Sequence, residues 1–222
     1  MSADRLVLLR HGRTAYNQAG IWQGQADVPL DDLGRLQAKA AAEQLLAERP
    51  VAVVASDLSR ARDTGQAVAE AAGVPLTLDP RLREIDAGAW ENRTGAEIAA
   101  SGDAELLAAY RRGEDVPAGG AERLSDVGRR GAEALAQHAA SVAGGTLVVS
   151  AHGVVLRCGA LELLGVPRAL WRMLGGLPNC GWGVIAPGRT GWRLLAWGLT
   201  PQDAPASDAP VGTGVNLPPG VV

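Results

Sequence analysis

Lysine is nearly missing from this sequence: Lys39 is the only one among 21 lysine and arginine residues. Without a basic stripe or a Lys/Arg-rich run, and with a formal net charge of -3, nothing favours nucleic acid or a membrane surface as a partner. The preference for arginine reads as a high-GC coding bias and is not by itself a sign of phosphate recognition. Cysteine is equally scarce. Cys158 and Cys180 are too few for a disulfide framework or a metal-ligand cluster, and with no base paired to either they read as small buried hydrophobes. No apolar run is long enough to span a bilayer. Met1-Ser2-Ala3-Asp4 leads straight into the first strand without the basic and apolar regions of a signal peptide. A cytoplasmic protein is expected.

What is present is ordinary for a globular chain: 47% hydrophobic and 20% charged residues over 222 positions, enough for one domain with a sizeable core. That domain is expected over 1–200. The remainder, 201–222, is Pro, Gly, Ala, Asp and Ser with little apolar content, and a disordered tail is expected there.

Strands and helices alternate. Arg5 to Leu9 is a short buried strand, followed by a polar loop from Thr14 to Pro29 that is long enough to suggest a binding role. Asp31-Asp32 starts a helix that Pro50 ends, with Leu36, Ala40 and Leu45 as its apolar stripe. Val51–Ala55 is a second strand, 59–72 a helix closed by Gly73, and Leu76–Leu78 a third strand. Residues 94–120 form an excursion with helices near 96–100 and 104–112. A long helix over 124–142 leads to the strand Thr146–Ser150, then another helix runs to Leu164. Trp182–Ala186 and Trp192–Trp197 make an antiparallel hairpin with a longer loop. The alternation favours a three-layer α/β/α sandwich around a largely parallel sheet. Its strand ends would open Arg10-His11, Ser56-Asp57 and Ala151-His152 on one edge, where open α/β sheets bind ligands.

Two imidazoles, His11 and His152, and two guanidiniums, Arg10 and Arg60, converging on one edge make an anion site. Arginine suits phosphate because its planar fork donates parallel hydrogen bonds and keeps its charge. The helix after His152-Gly153 would add N–H groups and the positive end of its dipole. A neutral imidazole can take a phosphoryl group covalently, and nearby arginines favour the neutral form. An alkoxide leaving group needs a proton. Glu84, just past the third strand, is the best-placed donor, with Asp86 and Glu91 as competitors.

Arg10-His11-Gly12, Ser56-Asp57-Leu58-x-Arg60-Ala61-x-x-Thr64, Leu82-Arg83-Glu84-Ile85 and Ala151-His152-Gly153 stand in order from Arg5 to Trp197 as in the histidine phosphatase superfamily, which the chain resembles. The resemblance implies a phosphoglycerate mutase-like fold and a metal-independent phosphatase needing no cofactor. It makes His11 the phosphorylated nucleophile, Arg10, Arg60 and His152 the phosphoryl-binding groups, and Glu84 the proton donor that later activates water. Asn17 and Gln23-Gly24 match loop positions that touch phosphate or substrate, and Trp22 beside them either lines the pocket or anchors the loop. The substrate is expected to be a small phosphorylated metabolite. Gln23-Gly24-Gln25-x-Asp27, Asn179-Cys180-Gly181-Trp182 and Trp192-Arg193-Leu194 are similar to glucosyl-3-phosphoglycerate phosphatases.

Mutases of the same superfamily usually carry Gly-Trp in the loop where this chain has Trp22-Gln23-Gly24-Gln25, and have a longer basic middle insertion. Hydrolysis is therefore favoured over isomerisation, and a non-catalytic phospho-ligand-binding module is a remote third reading. A homodimer is implied by resemblance alone. Arg83 is expected in a structural ion pair, His138 at the surface, and Trp182, Trp192 and Trp197 packed against helices.

Overall fold

The computed structural model describes residues 2–201, so the expected tail lies, from 202 on, outside the described residues. Six strands form one sheet: β1 (Arg5–Arg10), β2 (Pro50–Ala55), β3 (Leu76–Leu78), β4 (Thr146–Ala151), β5 (Trp182–Gly188) and β6 (Gly191–Leu199). Their order is β3-β2-β4-β1-β5-β6, with the first four parallel, β5 antiparallel to β1 and β6 antiparallel to β5.

The period-two alternation of β1 builds the layers. Leu6 and Leu8 join Leu147 and Val149 in a core with helices α6 (Leu124–Ser141) and α7 (Gly153–Leu163). Val7 and Leu9 join Val53 and Val148 in a second core with α2 (Asp32–Leu45) and α3 (Ser59–Ala72). A strand buried on both faces favours apolar residues along its middle, which is why β1 over 6–9 and β4 over 147–149 read as continuous aliphatic runs. Each such side chain contributes about 1.5–3 kcal/mol by leaving water. The fold is the expected three-layer α/β/α sandwich with a largely parallel sheet.

Four local readings change. The loop after β1 contains a short helix, α1 (Ala15–Ala19), started by a reciprocal cap between Thr14 and Asn17. The buried face of α2 is Gly34, Gln37, Ala38, Ala41, Ala42 and Leu45, while Leu36 is 58% exposed. Small residues were selected there because a Cβ on Gly34 would lie 2.0 Å from the Arg13 carbonyl oxygen. The hairpin is tighter than expected, since Gly188 pairs with Gly191 and only Arg189 and Thr190 turn the chain. In the excursion, α4 (Gly95–Ile98) and α5 (Ala104–Arg111) are joined by a wider turn around Gly102, whose φ of 101° interrupts the helix.

Register sets the position of the site. Arg10 pairs with Ala151 and Ala55 with Ser150, so β1, β4 and β2 end nearly level. The next residues stay in step, with His11 N–H donating to the Ala151 carbonyl and Ser56 N–H to that of Ser150, both at 3.0 Å.

Candidate active site

Continuation of that ladder brings the two histidines together, with ring centroids 5.1 Å apart. Nδ1 of His11 lies 2.7 Å from the Gly12 carbonyl, which can only accept, so the proton of the neutral ring sits on Nδ1. Nε2 of His11 has no hydrogen-bond partner among the described residues and keeps its lone pair. His152 has the opposite arrangement: its Nδ1 accepts from Arg60 Nε at 3.2 Å and its Nε2 faces Ser56 Oγ at 2.9 Å. Both of its nitrogens are occupied.

Burial, followed by the charges of Arg60 and Arg10, holds the His11 pKa well below 6.5. Burial and then Arg60 do the same to His152. Both rings are neutral at pH 7. The unfolded chain takes up these protons as pH drops through about 6.5 while the folded chain does not. Stability is therefore expected to fall with pH from about 6.5 downward, above the range where carboxylates matter. Urea midpoints between pH 7.5 and 5.0 test this; a flat profile would contradict neutral buried histidines, and His152→Gln should reduce the slope.

Arg60 is fully buried at the start of α3. Its guanidinium donates to the carbonyls of Ala26 at 2.7 Å and Gly24 at 2.9 Å as well as to His152, using three of its five N–H groups. Burial pushes its pKa down to about 10, which leaves it cationic. Arg10 gives one bond to the Leu177 carbonyl at 2.6 Å, but its buried Nε has no partner. An orphan charged donor beside a strand end is costly unless an anion completes it.

Glu84 meets Arg10 above Gly153: a Cβ there would lie 3.7 Å from Arg10 Nε and 3.8 Å from Glu84 Oε2. The Glu84 carboxyl accepts from the N–H groups of Val154 and Val155 at 3.1–3.2 Å and from Ile85 at 3.0 Å. The first turn of α7 thus serves Glu84. The sequence assigned those N–H groups to an incoming phosphate; in the folded chain the carboxyl group holds them. The competing acids are committed elsewhere. Glu91 accepts from Gln25 N–H at 2.6 Å, and Asp86 from Gly88 N–H at 2.9 Å.

A family model for the histidine phosphatase superfamily (branch 1) matches residues 6–200. The chain belongs to that superfamily. It is 38% identical over 222 residues to a glucosyl-3-phosphoglycerate phosphatase of Mycolicibacterium vanbaalenii, covering 92% of this chain and 98% of that one. It is 31% identical over 195 residues to a probable phosphoglycerate mutase, GpmB, of Yersinia pestis, covering 87% and 89%. A solved mycobacterial glucosyl-3-phosphoglycerate phosphatase complexed with VO3 superposes with a TM-score of 0.83 at 39% identity, over 89% of this chain and 100% of that one.

In this histidine phosphatase the loop residues expected at the substrate fall into two groups. Asn17 Oδ1 accepts from Asn179 Nδ2 at 3.2 Å, and Asn179 also donates to the His11 carbonyl at 3.1 Å, so Asn17 is tied to the His11-Gly12 turn. Gln23 Oε1 lies 2.9 Å from Thr14 Oγ1, and Gly24 gives its carbonyl to Arg60. Gly24 has φ 50°, and a Cβ would lie 2.1 Å from Glu91 Oε1, so only glycine fits under that carboxylate. Trp22 packs edge-on against Trp90 and Tyr110, with centroids 5.2 and 5.3 Å away. It anchors the loop to the excursion.

Arg83 forms its structural pair with Asp57 at 2.5 Å, and Cys158 and Cys180 are free and buried. His138 is half-buried and paired, with Nε2 2.8 Å from Asp79 Oδ2, joining α6 to the turn after β3. Reasoning from sequence missed Asn179, whose only signal was its place beside Cys180-Gly181-Trp182. It also missed Thr64 as a bridge, with Oγ1 accepting from Gly12 N–H at 3.1 Å and donating to the Arg60 carbonyl at 2.7 Å. Among the described residues no cluster of metal-ligating side chains occurs, and no helix is long and apolar enough to cross a membrane.

Proposed function

We propose that this histidine phosphatase hydrolyses a phosphomonoester through a phosphohistidine on His11, and that the substrate is glucosyl-3-phosphoglycerate or a related sugar or glycerate phosphate. The observation that carries the chemistry is the unpartnered Nε2 of a neutral His11 in one cluster with the orphan Nε of Arg10, the two spare N–H groups of Arg60, and Glu84. Nε2 attacks phosphorus and the ester P–O bond breaks. Arg10 and Arg60 neutralise the phosphoryl oxygens, and His152, neutral and held between Arg60 and Ser56, orients the Arg60 guanidinium, since phosphoryl transfer needs positioning and charge compensation more than covalent help. Glu84 protonates the leaving oxygen, then accepts a proton from the water that breaks the N–P bond. Phosphate and an alcohol leave, and His11 is restored. The substrate class is supported by the 38% identity to the Mycolicibacterium phosphatase.

Phosphate release from glucosyl-3-phosphoglycerate, 3-phosphoglycerate, sugar phosphates and p-nitrophenyl phosphate, with and without bisphosphoglycerate, tests the reading. Selective release indifferent to the bisphosphate supports it. Primer-dependent interconversion of phosphoglycerates without release would make the chain a mutase, the activity named for its 31% identical relative. Glu84→Gln should slow alkyl phosphates about 10²-fold or more and p-nitrophenyl phosphate far less, because p-nitrophenolate leaves without a proton. Equal losses would remove the proton-donor role. The reading also takes a cytoplasmic homodimer. The free cysteines support the first, and the exposed Leu194, Leu195 and Leu199 of strand β6 the second, which sedimentation velocity checks.

A further inference from the structure

Glu84 belongs to neither a strand nor a helix, so the carbonyls around it have no ladder to satisfy them. One side chain supplies the missing donors. From α6, Arg130 Nη1 donates to the carbonyls of Arg81 at 2.7 Å and Arg83 at 2.6 Å, and Nη2 donates to the carbonyl of Glu84 at 2.9 Å. Its Nε and Nη2 also pair with the two carboxylate oxygens of Glu122 at 2.7 and 2.9 Å. All five N–H groups of the guanidinium therefore have an acceptor. Glu122 extends the grip by accepting from Asp86 N–H at 3.0 Å, and its own N–H donates to the Asp86 carbonyl at 3.2 Å.

We propose that Arg130, oriented by Glu122, is a positioning residue for Glu84: it fixes the backbone from α6 while the first turn of α7 fixes the carboxyl group. The two helices are themselves held close. A Cβ on Gly131 would lie 3.1 Å from Val155 Cγ2, so the residue beside Arg130 packs directly on the turn that holds the carboxylate. Glu84 is gripped at both ends by one helix pair. A lysine cannot replace this arrangement, because a point charge with three donors does not span three carbonyls and a carboxylate. The inference rests on Glu84 as proton donor, and its consequence is specific: loosening Arg130 should impair those reactions that need a proton delivered to the leaving group.

The test compares wild type, Arg130→Lys, Glu122→Gln and Glu84→Gln on the alkyl substrate and on p-nitrophenyl phosphate, with thermal melting of each. Arg130→Lys is expected to lose about tenfold or more in kcat on the alkyl ester and only a few-fold on p-nitrophenyl phosphate, tracking Glu84→Gln in pattern. Glu122→Gln keeps one of the fork's two acceptor oxygens and should show the same pattern more weakly, which covers the case in which Arg130→Lys folds poorly. Equal losses on both esters in either folded variant, or no loss, would overturn the positioning role. If Glu84→Gln itself lacks the leaving-group signature, the proton-donor reading fails first and the positioning role goes with it.

Discussion

His11→Ala is expected to lower turnover on the order of 10⁴-fold or more, because removing a covalent nucleophile removes the pathway and not one contact along it. The loss should appear in kcat on every ester, p-nitrophenyl phosphate included, since no leaving group escapes the need for a nucleophile. Stability should move little or even rise. The ring is buried beside two arginines, and among the described residues its only hydrogen bond is to the Gly12 carbonyl of its own turn. Such groups are kept for chemistry at some cost to the fold. Rapid quenching of wild type with labelled substrate should trap an acid-labile, alkali-stable phosphoryl-protein that His11→Ala lacks. Turnover within tenfold of wild type in His11→Ala, or a label that persists in it, would place the nucleophile elsewhere.

Arg60→Met is the second large effect, and it should register in binding, catalysis and stability together. Arg60 holds His152 and the carbonyls of Gly24 and Ala26 with three N–H groups, and the proposed mechanism directs the remaining two at the phosphoryl oxygens. Loss of a cation aimed at transferring phosphoryl oxygens costs about 10³-fold or more in kcat, equivalent to roughly 4 kcal/mol of barrier. The abandoned carbonyls add about 1–3 kcal/mol of destabilisation where they stay buried. Arg60→Lys should recover little of either, because an ammonium cannot reach three acceptors in a plane. Inhibition by inorganic phosphate separates the two contributions. A weakened Ki with loss of kcat is expected, whereas an unchanged Ki would confine Arg60 to holding the loop.

The parts of the site legible in the sequence were those attached to regular elements. His11 follows a strand, His152 precedes a helix, and Arg60 stands in the first turn of one, so recognising each element placed its residue at the carboxyl edge. Glu84 was harder, since it lies in irregular backbone, and it was ranked above Asp86 and Glu91 by its nearness to β3 and by the Leu82-Arg83-Glu84-Ile85 motif of the resemblance. In the folded chain Glu84 accepts from the α7 amides, while Glu91 accepts from the loop at Gln25. Leu36 was misassigned to the core because alanine-rich helices have little contrast between faces. The true face follows Gly34, Gln37, Ala38 and Ala41, where close approach favours small residues.

By itself the sequence determined the layer order and the chemical inventory. Aliphatic runs with breaks at Gly and Pro specify buried parallel strands, and histidines and arginines at their ends make an anion site, which the resemblance of the motifs pointed toward phosphoryl chemistry. Tertiary structure alone decided which polar groups are free and which are consumed. Gly12 takes the His11 Nδ1 proton and leaves Nε2 open, Arg60 closes both nitrogens of His152 with Ser56, and Arg130 on a distant helix gathers the carbonyls around Glu84. Hydrogen bonds between residues 92 or 46 positions apart leave no local pattern. They exist only once packing has brought their elements together, so the tautomers, the spare donors and the support of the acid could not be read in advance.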